Sequence, residues 1–254
     1  MPTTVVDRAT TAPKNDPPPA YVPPSQAATT SEQQLAPPIT PVTVRPTNFL
    51  SVKWNTGDIR GTYVLDPRIK IPKSMLPPLA AGQTEATRQN LFLHTDHGSI
   101  DVDLFVLGDA HPKRSLDMSL KCKFGNITVK LHAVSTARPP IYITATTDGT
   151  FGYGKITLHL PRTFRGPVTV RQTADRWRAI KIHISELLTA GMMPLSEAND
   201  TWRYFVGTLD GWTGEGKWAG DEVRLESGLD VRLQYDVEPD LPVAQNSSSG
   251  CLVC

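Results

Sequence analysis

The chain predicts an all-β fold of repeated strand–turn–strand units, arranged as a β-solenoid-like stack or a β-sandwich. Three observations carry this. Apolar and polar residues alternate over residues 90–184, and a period of two places successive side chains on opposite faces of a strand. Short polar turns containing glycine interrupt the alternation at Gly98, Gly125 and Gly154, as tight turns that need positive φ require. The spacing between those glycines is close to constant, about the size of one supersecondary repeat.

Residues 1–46 hold nearly half of the 23 prolines and few large apolar side chains. Such a segment cannot bury enough surface to offset its ordering entropy and is expected to be disordered or polyproline-like. Within it, Pro18-Pro19-Ala20-Tyr21 matches the PPxY ligand of WW domains. A pre-formed polyproline II helix loses little entropy on docking into an aromatic groove, and the Tyr ring sets specificity. The partner so implied is a WW-domain protein, such as a ubiquitin ligase.

The folded domain is expected over residues 47–236. Asn48 to Val52 opens it, Gly61 to Pro67 reads as a strand ending in a turn, and the proline-broken stretch 71–82 reads as a loop packed by its Leu residues. Residues 84–90 read as one helical turn. The first full unit runs Leu91, Leu93, then Asp96-His97-Gly98, then Ile100, Val102 and Leu104. In the second, Leu116, Met118, Leu120 and Cys122 lead through Phe124-Gly125 to Ile127, Val129 and Leu131. The third joins Ile141 and Ile143 to Ile156, Leu158 and Leu160 across a wide Gly-rich turn, Gly149 to Gly154. A fourth, 166–184, lacks the glycine around Asp175-Arg176. Ser185 and Gly191 bracket a short helix as N-cap and terminator. Trp202 to Leu209 returns to strand, 210–218 is a Gly-rich loop carrying Trp212 and Trp218, and Val223 to Tyr235 reads as a closing hairpin.

Asn48-Phe49-Leu50-Ser51, Gly61-Thr62-Tyr63, Leu76-Pro77-Pro78-Leu79, Gly98-Ser99-Ile100-Asp101-Val102, Leu160-Pro161-Arg162, Phe164-Arg165-Gly166, Phe205-Val206-Gly207 and Trp218-Ala219-Gly220-Asp221-Glu222-Val223 stand in this order along the chain. Together they resemble a family of mushroom-forming fungi catalogued as domain of unknown function 7330. The resemblance spans about Asn48 to Asp236, and a proline-rich head with a PPxY-like string is also similar to members of that family. Its turns often carry Asn-Gly where this chain has His97-Gly98, Phe124-Gly125 and Asp148-Gly149, which implies a structural role for the turns. The resemblance supplies no catalytic residue.

Residues 237–254 are expected to be a flexible tail. It ends in Cys251-Leu252-Val253-Cys254, a C-a-a-X box that a prenyltransferase would modify at Cys251, with farnesyl favoured over geranylgeranyl. One lipid chain binds a membrane only marginally, so a second signal is needed. Arg162, Arg165, Arg171, Arg176, Arg178 and Lys181 fall close together and, on one face, would meet an anionic membrane surface.

Net charge is +1, which makes no electrostatic case for nucleic acid. Three cysteines, one of them the strand residue Cys122, make no disulfide framework; Cys122 is expected to be a buried thiol. No apolar run approaches a membrane span and the first residues lack a signal-peptide core. The expected location is therefore cytoplasmic, peripheral on a membrane through the lipid.

Candidate chemistry is sparse. His94, Asp96 and His97 resemble a metal-ligand cluster, but a strand turns His94 and His97 to opposite faces. Asp101 and Asp103 share a face as a carboxylate pair would, and no third group accompanies them. There is no GxSxG, P-loop or GxGxxG opening a helix. No cofactor is implied. Trp202, Trp212 and Trp218 could stack on sugars along a β-face. The functional expectation is thus a non-catalytic, membrane-tethered adaptor or scaffold, with a carbohydrate-binding or carbohydrate-active solenoid and a purely structural module as alternatives.

Overall fold

The alternating runs form strands, and one parity of their side chains makes a continuous core. A computed structural model describes residues 43–79, 82–108, 115–133, 137–148, 154–173, 180–209 and 218–239. Strands come in consecutive pairs: β1 (Leu50–Thr56) and β2 (Ile59–Leu65), β3 (Leu91–His97) and β4 (Ile100–Val106), β5 (Leu116–Phe124) and β6 (Ile127–Ala133), β7 (Ile141–Thr147) and β8 (Ile156–Leu160). They continue as β9 (Gly166–Gln172) and β10 (Ile182–Ile184), helix α1 (Glu186–Ala190), β11 (Met192–Ala198) and β12 (Thr201–Val206), and finally β13 (Glu222–Ser227) and β14 (Val231–Tyr235).

Except for β11 and β12, which pair antiparallel within the longer sheet, the two strands of a pair do not hydrogen-bond to each other. One joins an eight-stranded sheet, β1-β3-β5-β7-β13-β9-β12-β11, and the other a six-stranded sheet, β2-β4-β6-β8-β14-β10. Neighbours are parallel throughout except at β9-β12 and β12-β11. Each of the other pairs is therefore one coil of a solenoid-like stack, while β11 and β12 form a hairpin at its edge. The closing hairpin expected at Val223 to Tyr235 is corrected accordingly: β13 and β14 lie in different sheets. Parallel register explains the repeated sequence pattern. Ile59, Ile100, Ile127, Ile156 and Val231 stand in one row across the shorter sheet, each at most 1% exposed. Burying each such side chain contributes about 1.5–3 kcal/mol.

The stacking also corrects the reason for one glycine. Gly125 has no positive φ. A Cβ there would stand 1.9 Å from the Gly98 carbonyl oxygen of the coil before, so glycine is required by the close approach of consecutive arcs.

The last pair in sequence is not the last coil in space. β13 and β14 slot between β7/β8 and β9/β10 in both sheets. The chain thus skips a position after β8, builds the coil beyond it, and returns to fill the gap. β11 escapes sequence reading because its residues are mostly exposed, which leaves no alternation to detect. Helix α1 behaves as its sequence implies: the Leu188 amide donates to the Ser185 side chain, and Leu188 is fully buried. The helical turn at 84–90 is a 3-10 turn, Glu85–Thr87, with Thr84 and Thr87 capping each other. Residues 71–79 are packed less tightly by their apolar side chains than expected, with Met75 76% and Leu79 39% exposed. No helix among the described residues is long and apolar enough to cross a membrane.

Candidate functional site

Where the long sheet passes into the arcs, a row of short polar side chains turns inward. Thr95 Oγ1 donates to the Gly57 carbonyl at 2.9 Å, Cys122 Sγ to Gly98 at 3.0 Å, Thr147 Oγ1 to Gly154 at 3.0 Å and Ser227 Oγ to Gly154 at 2.9 Å. All four residues are buried. Cys122 thus does a hydroxyl's work, satisfying an arc carbonyl that would otherwise be stranded. Burial pushes its thiol up to about 11, so little of it is the nucleophilic thiolate at neutral pH.

At the opposite arc, Asp221 precedes β13 and gathers four donors. Arg138 approaches its two oxygens at 2.7 and 2.8 Å, and the amides of Ile141 and Arg165 donate at 3.0 and 2.9 Å. This node ties the inserted strand to the coils on both sides. A second polar cluster lies on the shorter sheet: His132 Nδ1 pairs with Asp236 at 3.1 Å, its Nε2 faces Asp103 at 3.8 Å, and the ring stacks on Phe105. Sequence reasoning missed both clusters because their members lie 83 and 104 residues apart.

The residues singled out from sequence are not brought together. His94 reaches Asp96 at 3.3 Å on the long sheet, while His97 stacks on Phe124 at the arc. Among the described residues no group of three or more His, Cys, Asp or Glu side chains is placed to hold a metal ion. Asp101 is exposed, whereas Asp103 faces His132. Trp202 packs against the core, and Trp218 donates to the Asp221 carbonyl and meets Phe205 edge-on. Neither forms part of an open stacking platform; Trp212 lies outside the described residues.

The six-residue basic face is not assembled from its described members. Arg162 and Arg165 lie between β8 and β9, whereas Arg171 ends β9 and Lys181 precedes β10. At about 3.3 Å per residue, the length of β9 puts roughly 20 Å between the two groups. Arg162 sits over the Tyr235 ring, Arg165 donates to the Thr208 carbonyl, and Arg171 faces Glu226 at 3.9 Å. Arg176, Arg178, the Pro18-Pro19-Ala20-Tyr21 string and Cys251 lie outside the described residues.

Among the concavities that the described residues form on the outer face of the long sheet, two bear on function. One, of about 760 Å³, spans β13, β9 and β12 and is lined by Thr169, Arg171, Asn199, Arg203 and Glu222 among others. The other, of about 280 Å³, lies at the first coils between Phe92 and the Pro77-Pro78-Leu79 loop. Arg88, 9% exposed, holds that loop: its guanidinium donates to the Pro77 carbonyl and pairs with Glu85 at 3.0 Å.

Comparison with known proteins places this geometry in a family. Residues 48–238 match the family model described as "Domain of unknown function (DUF7330)". No curated protein matches the chain, and no solved structure does. The chain belongs to the domain of unknown function 7330 family, whose model covers the whole stack of coils.

Proposed function

We propose that this chain is a non-catalytic solenoid-like scaffold, tethered to the cytoplasmic face of a membrane by a prenyl group on Cys251. In this reading the proline-rich head offers Pro18-Pro19-Ala20-Tyr21 to a WW-domain protein such as a ubiquitin ligase. The observation that carries the reading is the string Cys251-Leu252-Val253-Cys254, which follows a serine-bearing stretch and has the form a prenyltransferase recognises. The buried polar groups of the coils support it further. Asp221, Arg138 and the Thr95–Ser227 row bond to the backbone or to one another, as structural rather than reacting groups do. Because one chain anchors weakly, a second membrane contact is part of the proposal. Arg162, Arg165, Arg171, Arg176, Arg178 and Lys181 supply positive charge toward anionic lipid, the described members from two ends of β9 rather than from one face.

Mass spectrometry of the C-terminal peptide from the native host tests the anchor. A lipid on Cys251, with loss of membrane localisation in Cys251→Ser, is the expected result; a free Cys251 thiol rejects it. Tyr21→Ala is expected to abolish capture by WW domains.

A second reading, carbohydrate binding, is favoured by the 760 Å³ concavity with its Thr, Asn, Arg and Glu lining. A glycan array tests it, with Arg203→Ala expected to remove any signal.

A further inference from the structure

We infer that the groove at the first coils is a binding site for a small amphipathic carboxylate, one with a single short apolar chain. Its apolar part is built from Phe49, Leu50 and Phe92 on the sheet side and Pro77, Pro78 and Leu79 opposite. At about 280 Å³ it lies just under the roughly 300–1,000 Å³ of drug-sized sites, which suits one chain or one ring. The wall is held in place by Arg88, whose guanidinium bonds the Pro77 carbonyl and Glu85. The cavity is therefore a supported feature of the fold.

Two further observations point to a ligand and to its charge. Phe49 holds φ +59, a left-handed conformation that costs a bulky side chain of order 1–3 kcal/mol and is concentrated at ligand clamps and active sites. Asn48 accepts from the Phe49 amide at 3.0 Å and from Asn90 at 2.6 Å, which keeps the ring in place against that cost. Beside the apolar floor, parallel register sets Lys53, His94 and Lys121 side by side across β1, β3 and β5. Both lysines are exposed, Lys53 itself lines the groove, Asp96 lies against His94 and Glu85 is paired with Arg88. A carboxylate seated at Lys53 would meet the positive charge of the two lysines while its chain lay over Phe92. The inference does not depend on the lipid anchor or on the WW ligand.

The test uses the unmodified full chain with anilinonaphthalene sulfonate as a fluorescent reporter, displaced by decanoate and, separately, by decanol. Decanoate is expected to displace it at lower concentration than decanol. Lys53→Gln should weaken decanoate about tenfold, as loss of a charge-assisted bond does, and leave decanol unchanged. Leu79→Ser changes a side chain 39% exposed, so it should leave the fold intact and weaken both. Absence of displacement, or equal affinity in the wild type and both variants, overturns the site. If the unmodified chain binds decanoate but the chain farnesylated on Cys251 does not, the groove belongs to the protein's own lipid and the soluble ligand is overturned.

Discussion

Arg138 and Asp221 form a two-pronged ion pair at 2.7 and 2.8 Å across 83 residues of sequence, with side chains only 5% and 7% exposed. Asp221 also takes the amides of Ile141 and Arg165. One carboxylate therefore fastens the start of β13 to β7 on one side and β9 on the other. Removing one member of a buried pair strands the other charge, which costs about 3–5 kcal/mol. Asp221→Ala is expected to lower the unfolding free energy by that amount in a urea titration. Arg60→Ala, which breaks an exposed pair with Asp58, should move the midpoint far less. Equal effects from the two variants would show that Asp221 is not the fastening point.

Gly125→Ala should destabilise by more than about 3 kcal/mol, since overpacking against backbone has no flexible side chain to yield. The added Cβ would stand 1.9 Å from the Gly98 oxygen and 3.1 Å from Cys122 Sγ. At an unstrained position with room for a methyl group the same change stabilises by about 0.4–1 kcal/mol. The sign of the change in thermal midpoint therefore checks whether the arcs touch.

Cys122 contributes a donor, so Cys122→Ser should cost less than Cys122→Val. Valine fills the space but leaves the Gly98 carbonyl without the bond now made at 3.0 Å, a loss of about 1–3 kcal/mol for a buried acceptor. Urea midpoints of the two variants decide the order. In the native protein the thiol should resist iodoacetamide at pH 7.5 and react on unfolding.

Stability should decline at both ends of the pH range. Burial raises the Cys122 thiol from 9.0 to about 11. Between those values the unfolded chain loses a proton that the folded chain keeps, so the contribution is complete below pH 9 and lost as pH rises toward 11. Tyr63, Tyr142, Tyr204 and Tyr235, all raised above 10.0 by burial, add to that loss. On the acid side, the Ser99 amide and Arg60 lower Asp58, and Arg68 lowers Asp66, from 3.8. Their contribution is present above that pH and lost as pH falls through the depressed values. Urea midpoints measured across pH 3 to 11 check both limbs.

Legibility of the fold and site followed the range of the interaction. Leu91, Leu93, Ile100 and Val102 were readable as core because alternation is a property of neighbours in sequence, and all four are at most 2% exposed. Ser185 was readable as a cap because its partner, the Leu188 amide, is three residues on. Cys122 was readable as buried but not as the donor to Gly98, since the coil that supplies the carbonyl precedes it by 24 residues. The groove could not be read at all: Phe92, Lys53 and Pro77 meet only through coil register and the Arg88 strut.

What the sequence alone determined is the class of structure: strands, their inward residues, the arcs between them and the family motifs. Each depends on contacts within a few residues, or on a repeat visible along the chain. Tertiary structure alone decided that the two strands of each coil part into two largely parallel sheets and that β13 and β14 enter the stack out of turn. The physical reason is that a strand edge accepts any neighbour of matching register. Its choice among them is set by long-range fastenings such as Arg138 with Asp221, which no local pattern encodes.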